Sequence, residues 1–564
     1  MSNRICSILS FTCILFLFVF IACKNKSKNP EDNIAGSPKE LEQKAADLIR
    51  IFLEDAISNK GKVDDSTILS QPHLIKMLYE KNKFIPLWSL KGEWQPLGDS
   101  LYNFIVHAQL CGLFPEDYHV KALTDIRTQF FNDSNAKAGR KNVSLWSRAE
   151  LMLTDAFVEI VKDVKQGRLP QDSITLRKDS ILDNKFYQQQ FDALQQSGLL
   201  AQVIKSLEPK QRGYYLLKAG IQKFLDSADY RSFTFVPAPG KDPVQFRKAL
   251  QQRLFQSGFI ASDSLQVDSL QLAGAIRKFQ QKSGITVDGK AGEGTVRMLN
   301  TSDGEKFIRI AISMDKYKML PEKMPAKYIW VNLPGYNLHL LDGDSIIITS
   351  KIICGKPLTP TPQLNSAISE MITYPLWTIP TSIIVKEILP ALKRNPGYLA
   401  RKGFSLLGKN GDEVDPFSID WSKYSKGIPY QVVQGSGDGN ALGILKFNFS
   451  NKYSVYLHDT NQRYLFGLTT RALSHGCVRV QEWERLAYYI LRNDGQNVNG
   501  QGYSKADSVR SWLKRKQKHS IVVHNRIPLY IRYFTCEGIN GDIVFYDDIY
   551  GEDKRLREKY FGAK

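Results

Sequence analysis

One stretch of this 564-residue chain gathers a thiol, two imidazoles and a guanidinium. Cys477 lies in Ser474-His475-Gly476-Cys477-Val478-Arg479, and His458 ends the apolar run Val455-Tyr456-Leu457-His458, 19 residues upstream. These are the parts of a cysteine acyl-transfer site, in which a neighbouring imidazole takes the thiol proton and the thiolate attacks a carbonyl. Gly476 lets the backbone approach a ligand closely beside the nucleophile. A buried core cysteine with structural histidines is the plainer alternative. His458, His475 and Cys477 are also potential zinc ligands, but no convincing fourth ligand accompanies them and the spacing fits no familiar metal pattern. No metal is expected.

Strands must hold these groups. Gly443–Phe449 and Tyr453–His458 alternate with period two, which places His458 at a strand end before an Asp459-Thr460 turn. Leu473-Ser474-His475-Gly476 brings Cys477 to a second strand–loop junction. Glu482–Arg492 reads as a helix whose first amides are expected to help stabilise a thiolate or oxyanion. Upstream, Tyr328–Leu333, Tyr336–Leu341 and Ser345–Ile353 read as strands, and His339 falls in their alternation as a structural residue. Tyr374–Pro380, with Trp377, reads as an extended entry. Residues 383–394 read as a helix interrupted at Pro390, inside an excursion over 383–429 that is expected to cap a cleft.

The N-terminus sets the compartment. Residues 7–22 are apolar, with Arg4 the only charge before Cys23, a run too short for a spanning helix of about 20 residues and suited to a signal peptide. Phe20-Ile21-Ala22-Cys23 resembles a bacterial lipoprotein processing site, which implies cleavage before Cys23 and lipidation of Cys23. Residues 1–22 are thus expected as signal peptide and 23–40 as a polar tether, with the remainder outside the cytoplasm. The net charge of +19 favours an anionic partner such as a cell wall or lipid surface. With no basic–aromatic repeat, no nucleic acid is expected. Seven cysteines, two of them inside the signal, are too few for a disulfide framework.

Residues 41–235 show helical spacing, as in Leu41–Phe52, Leu101–Leu110 and Arg148–Val164, and are assigned as a helical scaffold. Residues 236–304 form a smaller unit, with Leu272, Ile276 and Phe279 on one helical face. Its Phe279-Gln280, Gly284–Gly289 turn and Gly292-Glu293-Gly294-Thr295 resemble the small peptidoglycan-binding helical module; no glycan-contacting residue is assigned. A connecting helix is expected over 305–324, a mostly β catalytic domain over 325–510, and a segment packing on scaffold and catalytic domain over 511–564. The fold class expected is multidomain α+β.

At His458, Ser474, His475, Gly476, Cys477 and Arg479 the chain resembles the YkuD-type L,D-transpeptidase family, in its large multidomain branch. Trp377 and Pro380, the run Asn440–Phe447, Arg471–Leu473, Pro528–Tyr533 and Asp548–Gly551 extend the likeness. The resemblance implies acyl transfer in peptidoglycan: Cys477 attacks a tetrapeptide donor, D-Ala leaves from a thioester, and a diamino-acid amine of a neighbouring stem forms a 3–3 cross-link. It implies His458 as general base, with a backbone carbonyl near Asp459 orienting it, and His475 as organiser of the pocket and oxyanion environment. Gly476 and Cys477 amides are candidate oxyanion donors. Arg479 would hold the loop or a carboxylate, while Trp377, Tyr456, Asn440 and Ser474 would line or support the site. No cofactor is required. The stem peptides, a membrane reached through the N-terminal lipid, and cell-wall synthesis proteins are the partners implied, on the periplasmic side of a Gram-negative bacterium with inner or outer membrane undecided. Water or another amine as acceptor would make an L,D-carboxypeptidase or an attaching acyltransferase. A non-catalytic wall anchor is the reading from another class.

Overall fold

The computed structural model describes residues 34–65, 67–131, 141–177, 182–240, 242–261, 267–283, 285, 287–495 and 502–562. The expected signal peptide, Cys23, the tether up to residue 33, and Gly284 and Thr286 of the module's turn lie outside them. Among the described residues no helix is long and apolar enough to cross a membrane.

The chain forms two compact units. The first holds residues up to Asp99 and Lys121–Asp155. Its helix Pro38–Ser58 starts where Ser37 accepts the Glu40 amide, and it buries Ile49, Phe52, Leu53 and Ala56. These pack with Ile75, Tyr79 and Leu151. The carboxylate of Glu150, 1% exposed, accepts from Leu87 N, Trp88 N, Ser89 Oγ and Tyr79 Oη, so its burial is matched by donors.

The second unit holds Ser100–Val120 and everything from Ala156. Helices Asn184–Ser197, Leu200–Leu207 and Arg212–Ser227 precede the small module, whose helices are Pro243–Gln256, Ser269–Lys282 and Glu293–Leu299. Helix Asp303–Lys318 is buried along most of its length. Near its end Lys316 is held by Glu552 (2.8 Å), Asp553 (2.9 Å) and the Tyr533 carbonyl (2.7 Å), tying it to the C-terminal segment.

The catalytic sheet runs Leu445–Phe449, Leu457–His458, Val478–Val480, Ser345–Gly355, Asn337–Asp342, Lys327–Asn332, Pro528–Arg532, Leu364–Thr373 and His519–Val522. Leu364–Thr373 also pairs with Leu445–Phe449, so the sheet closes on itself. Closure leaves the short functional strands without a free edge. Its core contains Ile329, Leu340, Ile352, Met371, Phe447 and Leu457. The layout is the multidomain one expected: helical N-terminal region, small helical module and β-rich catalytic domain.

The excursion has its own three-stranded sheet, Trp377–Thr378, Gln431–Gln434 and Phe404–Leu407, and its own core of Ile384, Leu392, Leu399, Leu406, Trp421 and Val432. Pro390 does not break the helix as expected. It sits in the first turn of Leu389–Arg394, and a π turn at Ile384–Ile388 absorbs the irregularity just before it.

Candidate active site

Strand register builds the site. Antiparallel pairing sets Lys446 opposite His458, and parallel pairing sets His458 beside Arg479. Cross-strand partners point to one face, so these three side chains form a row across three strands. Period two extends that face to Tyr456 and Cys477. Phe447, Leu457 and Val478 alternate with them and belong to the buried core. Tyr456 meets the His458 ring edge-on, with centroids 5.6 Å apart. Tyr456 lies against the Cys477 sulfur, and Trp377 lies against the Tyr456 hydroxyl.

The loop that carries Cys477 is pinned from several sides. Ser474, 3% exposed, donates through Oγ to the Cys477 carbonyl (2.5 Å) and accepts the Gly476 amide (3.1 Å). The Ser474 carbonyl accepts from Lys356 N (2.9 Å) and Thr359 Oγ1 (3.2 Å). Buried Thr361 donates to the Gly476 carbonyl (2.8 Å) and accepts the Gly355 amide (2.9 Å). Tyr550, from the C-terminal segment, accepts Thr361 N (3.2 Å) and donates to the Gly355 carbonyl (2.7 Å). In a trans peptide the carbonyl and the next N–H point in opposite directions. Fixing the Gly476 carbonyl on Thr361 therefore aims the Cys477 N–H the other way, where it donates to no protein group among the described residues. Gly476 has φ +122°, a conformation that suits glycine.

Cys477 is only partly accessible. Burial pushes its thiol above the usual range, while Tyr456, Lys446 and Arg479 pull the other way. Burial and then the Arg479 charge push His458 down to about 3, with Lys446 adding to the effect. The backbone at Asp459 and Leu442 opposes this, yet His458 Nδ1 is buried and finds no hydrogen bond of normal geometry. The resting site thus holds a neutral thiol and, on the same strand face, a neutral imidazole. Transfer of the thiol proton creates thiolate and imidazolium together, so each stabilises the other's charge.

The remaining predicted residues have distinct surroundings. His475 is turned toward the excursion, where Nε2 meets Glu387 Oε1 at 2.6 Å. Asn440, 2% exposed, uses its amide on the carbonyls of Pro375, Gln434 and Gly435 and on Leu442 N, shaping the loop over His458. Asp459 accepts Ile444 N (3.1 Å) and Arg463 Nη2 (3.0 Å) through Oδ2. Arg479 reaches Thr460 Oγ1 and Gln462 Oε1. Helix Trp483–Gly495 begins after the strand Val478–Val480, and just before it Glu482 N donates to Ser350 Oγ. Lys446, Thr361, Tyr550 and Glu387 are parts of the site that the motif did not indicate. Among the described residues no group of three or more His, Cys, Asp or Glu side chains is arranged to hold a metal.

In the small module, Gln280 spans the turn. Its Nε2 donates to Asp288 Oδ1, Lys290 O and Thr295 Oγ1, and its Oε1 accepts from Asp288 N and Gly289 N. The polar residues of that motif are spent on holding the turn.

Comparison with known proteins agrees with this layout. Residues 326–524 match the family model YkuD, described as L,D-transpeptidase catalytic domain. Residues 73–220 match a Scaffold domain, and residues 244–299 match a Putative peptidoglycan binding domain. A Putative L,D-transpeptidase of Haemophilus influenzae is 34% identical over 248 residues, which are 44% of this chain and 48% of that protein. The chain thus spans about half the length of that curated relative. A crystal structure of Mycobacterium tuberculosis L,D-transpeptidase 1 is 10% identical and covers 38% of this chain and 64% of that one. Its TM-score of 0.14 is too low to carry an argument.

Proposed function

Given that the chain has the YkuD-type L,D-transpeptidase architecture, with its scaffold and peptidoglycan-binding-like domains, we propose that it joins peptidoglycan stem peptides through a Cys477 thioester. The observation that carries this reading is a partly accessible thiol on the strand face that carries His458, together with an unspent Cys477 N–H aimed by the Thr361 clamp. His458 takes the Cys477 proton as sulfur attacks the amide carbonyl of a tetrapeptide donor. The resulting oxyanion faces the Cys477 amide, with Gly476 shaping its approach. The C–N bond then breaks, His458 returns the proton to the leaving amine, and D-Ala departs from the thioester. A diamino-acid amine of a second stem attacks, gives its proton to His458, and leaves a 3–3 cross-link with the thiol restored. Arg479 supplies positive charge for a donor carboxylate. Trp377 and Tyr456 wall the thiol, while Ser474 and Asn440 support the loops. His475 is the contact from the nucleophile loop to the cap. The same reading places the enzyme as a lipoprotein anchored through Cys23 on the periplasmic side, with residues 236–304 meeting the wall.

The test is mass spectrometry of residues 24–564 with disaccharide-tetrapeptides, alongside Cys477→Ala. The expected result is a Cys477-dependent dimer with D-Ala release. Tripeptide without dimer would replace the reading by hydrolysis, and the absence of a Cys477-dependent product would overturn it.

A further inference from the structure

The face that carries His458 also carries two cations that touch no carboxylate among the described residues. Arg479 finds only the neutral oxygens of Thr460 (3.4 Å) and Gln462 (3.2 Å), and its Nε is buried without a partner. Lys446 lies on the other side of His458 and makes no direct ion pair among the described residues; Glu370 acts on its charge only from a distance. Its ammonium sits 3.9 Å from the centre of the Tyr456 ring, the same ring whose hydroxyl reaches the nucleophile. The nearby acids make their close contacts elsewhere: Glu370, whose charge reaches Lys446 only from a distance, takes Ser520 Oγ and Asn448 Nδ2, and Asp459 takes Ile444 N and Arg463 through Oδ2.

A cation withdrawn from water without an anion is unfavourable, and an aromatic face offsets only part of that cost. Two such cations beside one nucleophile describe a receptor waiting for negative charge. With neighbouring strands about 4.8 Å apart, the backbone positions of Lys446 and Arg479 stand roughly 10 Å apart with His458 between them. That is about three residues of extended peptide.

Resting on the acyl-transfer reading above, we propose that Lys446 is a substrate-binding residue whose ammonium pairs with a carboxylate of the acyl donor. The donor would be a peptide with carboxylates on both sides of the scissile amide, one meeting Lys446 and another meeting Arg479. Both cations disfavour the imidazolium of His458. A bound carboxylate neutralises that opposition, so donor binding strengthens the base at the moment it is needed.

Two measurements test this on the full chain. The first compares alkylation of Cys477 by anionic iodoacetate and by neutral iodoacetamide in wild type, Lys446→Met and Lys446→Arg. The ratio of the two rates cancels any change in thiolate fraction. Lys446→Met is expected to lower that ratio about fivefold or more, with Lys446→Arg near wild type. An unchanged ratio in Lys446→Met overturns the proposal. The second uses tetrapeptide donors with one carboxylate amidated at a time. Lys446→Met is expected to raise the donor KM about tenfold with kcat within about threefold, and to have no further effect on the donor lacking the contacted carboxylate. An equal effect on every donor overturns the carboxylate contact. If wild type forms no Cys477-dependent acyl-enzyme with any donor, the acyl-transfer reading fails and carries the substrate assignment with it. The reagent ratio still reads the charge that Lys446 places beside the thiol.

Discussion

Replacing Thr361 with valine removes one hydroxyl and leaves the side-chain shape nearly unchanged. In the native site that hydroxyl serves two buried backbone groups, donating to the Gly476 carbonyl at 2.8 Å and accepting the Gly355 amide at 2.9 Å. Leaving each unpaired costs about 1–3 kcal/mol, so the catalytic domain should lose on the order of 2–6 kcal/mol. The effect on chemistry is separate. With its carbonyl released, the Gly476–Cys477 peptide can rotate and the Cys477 N–H loses its aim. Deleting an oxyanion donor outright costs about 10²–10³ in kcat. Thr361→Val only loosens the donor, so a loss of about 10- to 100-fold, or roughly 1.4–2.7 kcal/mol, is expected. Intact-protein mass spectrometry of acyl-enzyme formation reads the rate. Iodoacetamide alkylation of Cys477 controls for the thiol and should change by less than about threefold, since Tyr456 and Lys446 are untouched. A folded Thr361→Val protein that acylates at the wild-type rate would refute the argument that this hydroxyl positions the oxyanion donor.

Other perturbations have equally definite outcomes. His458 sits at about 3 when folded and near 6.5 when unfolded. Below pH 6.5 the unfolded chain therefore binds the extra proton, and stability falls as the pH drops toward 3 by up to about 1.4 kcal/mol per unit. His458→Asn should flatten that slope in urea titrations of the catalytic domain, and identical slopes would count against a buried neutral imidazole. Gly476→Ala has open space for its Cβ, with the nearest atom at 3.9 Å, but must hold φ +122°. It should cost about 1–3 kcal/mol through backbone strain alone and slow acylation, and an unimpaired rate would refute the strain. Glu387→Ala removes the contact between the excursion and His475. Because both side chains are substantially exposed, the stability change should stay below about 1 kcal/mol. Amide exchange over 381–394 should nevertheless quicken, and unchanged exchange would show that this contact does not hold the excursion.

Much of the site is legible in the chain because its chemistry is local. The Ser474–Arg479 word, the alternation before His458 and the turn after it place nucleophile and imidazole at strand ends, where the structure has them. The supporting residues are not local. Thr361 is 115 residues from Gly476, and Glu387 is 88 from His475. A threonine after a proline, or a glutamate on a helix, looks the same wherever it packs. Lys446 reads as an ordinary outward residue of an alternating strand; only the pairing with His458 gives it meaning. The π turn at Ile384–Ile388 escapes periodicity because it shifts the register by one residue within an otherwise helical run. The helix expected after Cys477 exists, separated from it along the chain by a three-residue strand.

The excursion leaves and rejoins the catalytic domain through two neighbouring antiparallel pairs, Trp377 opposite Gln434 and Thr378 opposite Val433. Everything between them is organised around a core of its own. Such an insertion is a cassette. Its two ends lie about 5 Å apart, so a tight turn could rejoin the host after excision, and a different loop could be grafted between the same two ends. Lineages could therefore lengthen, trim or exchange the excursion without redesigning the thiol, the imidazole or the sheet beneath them. Substrate range could then diversify on one side of the entrance while the reaction itself is inherited unchanged on the other.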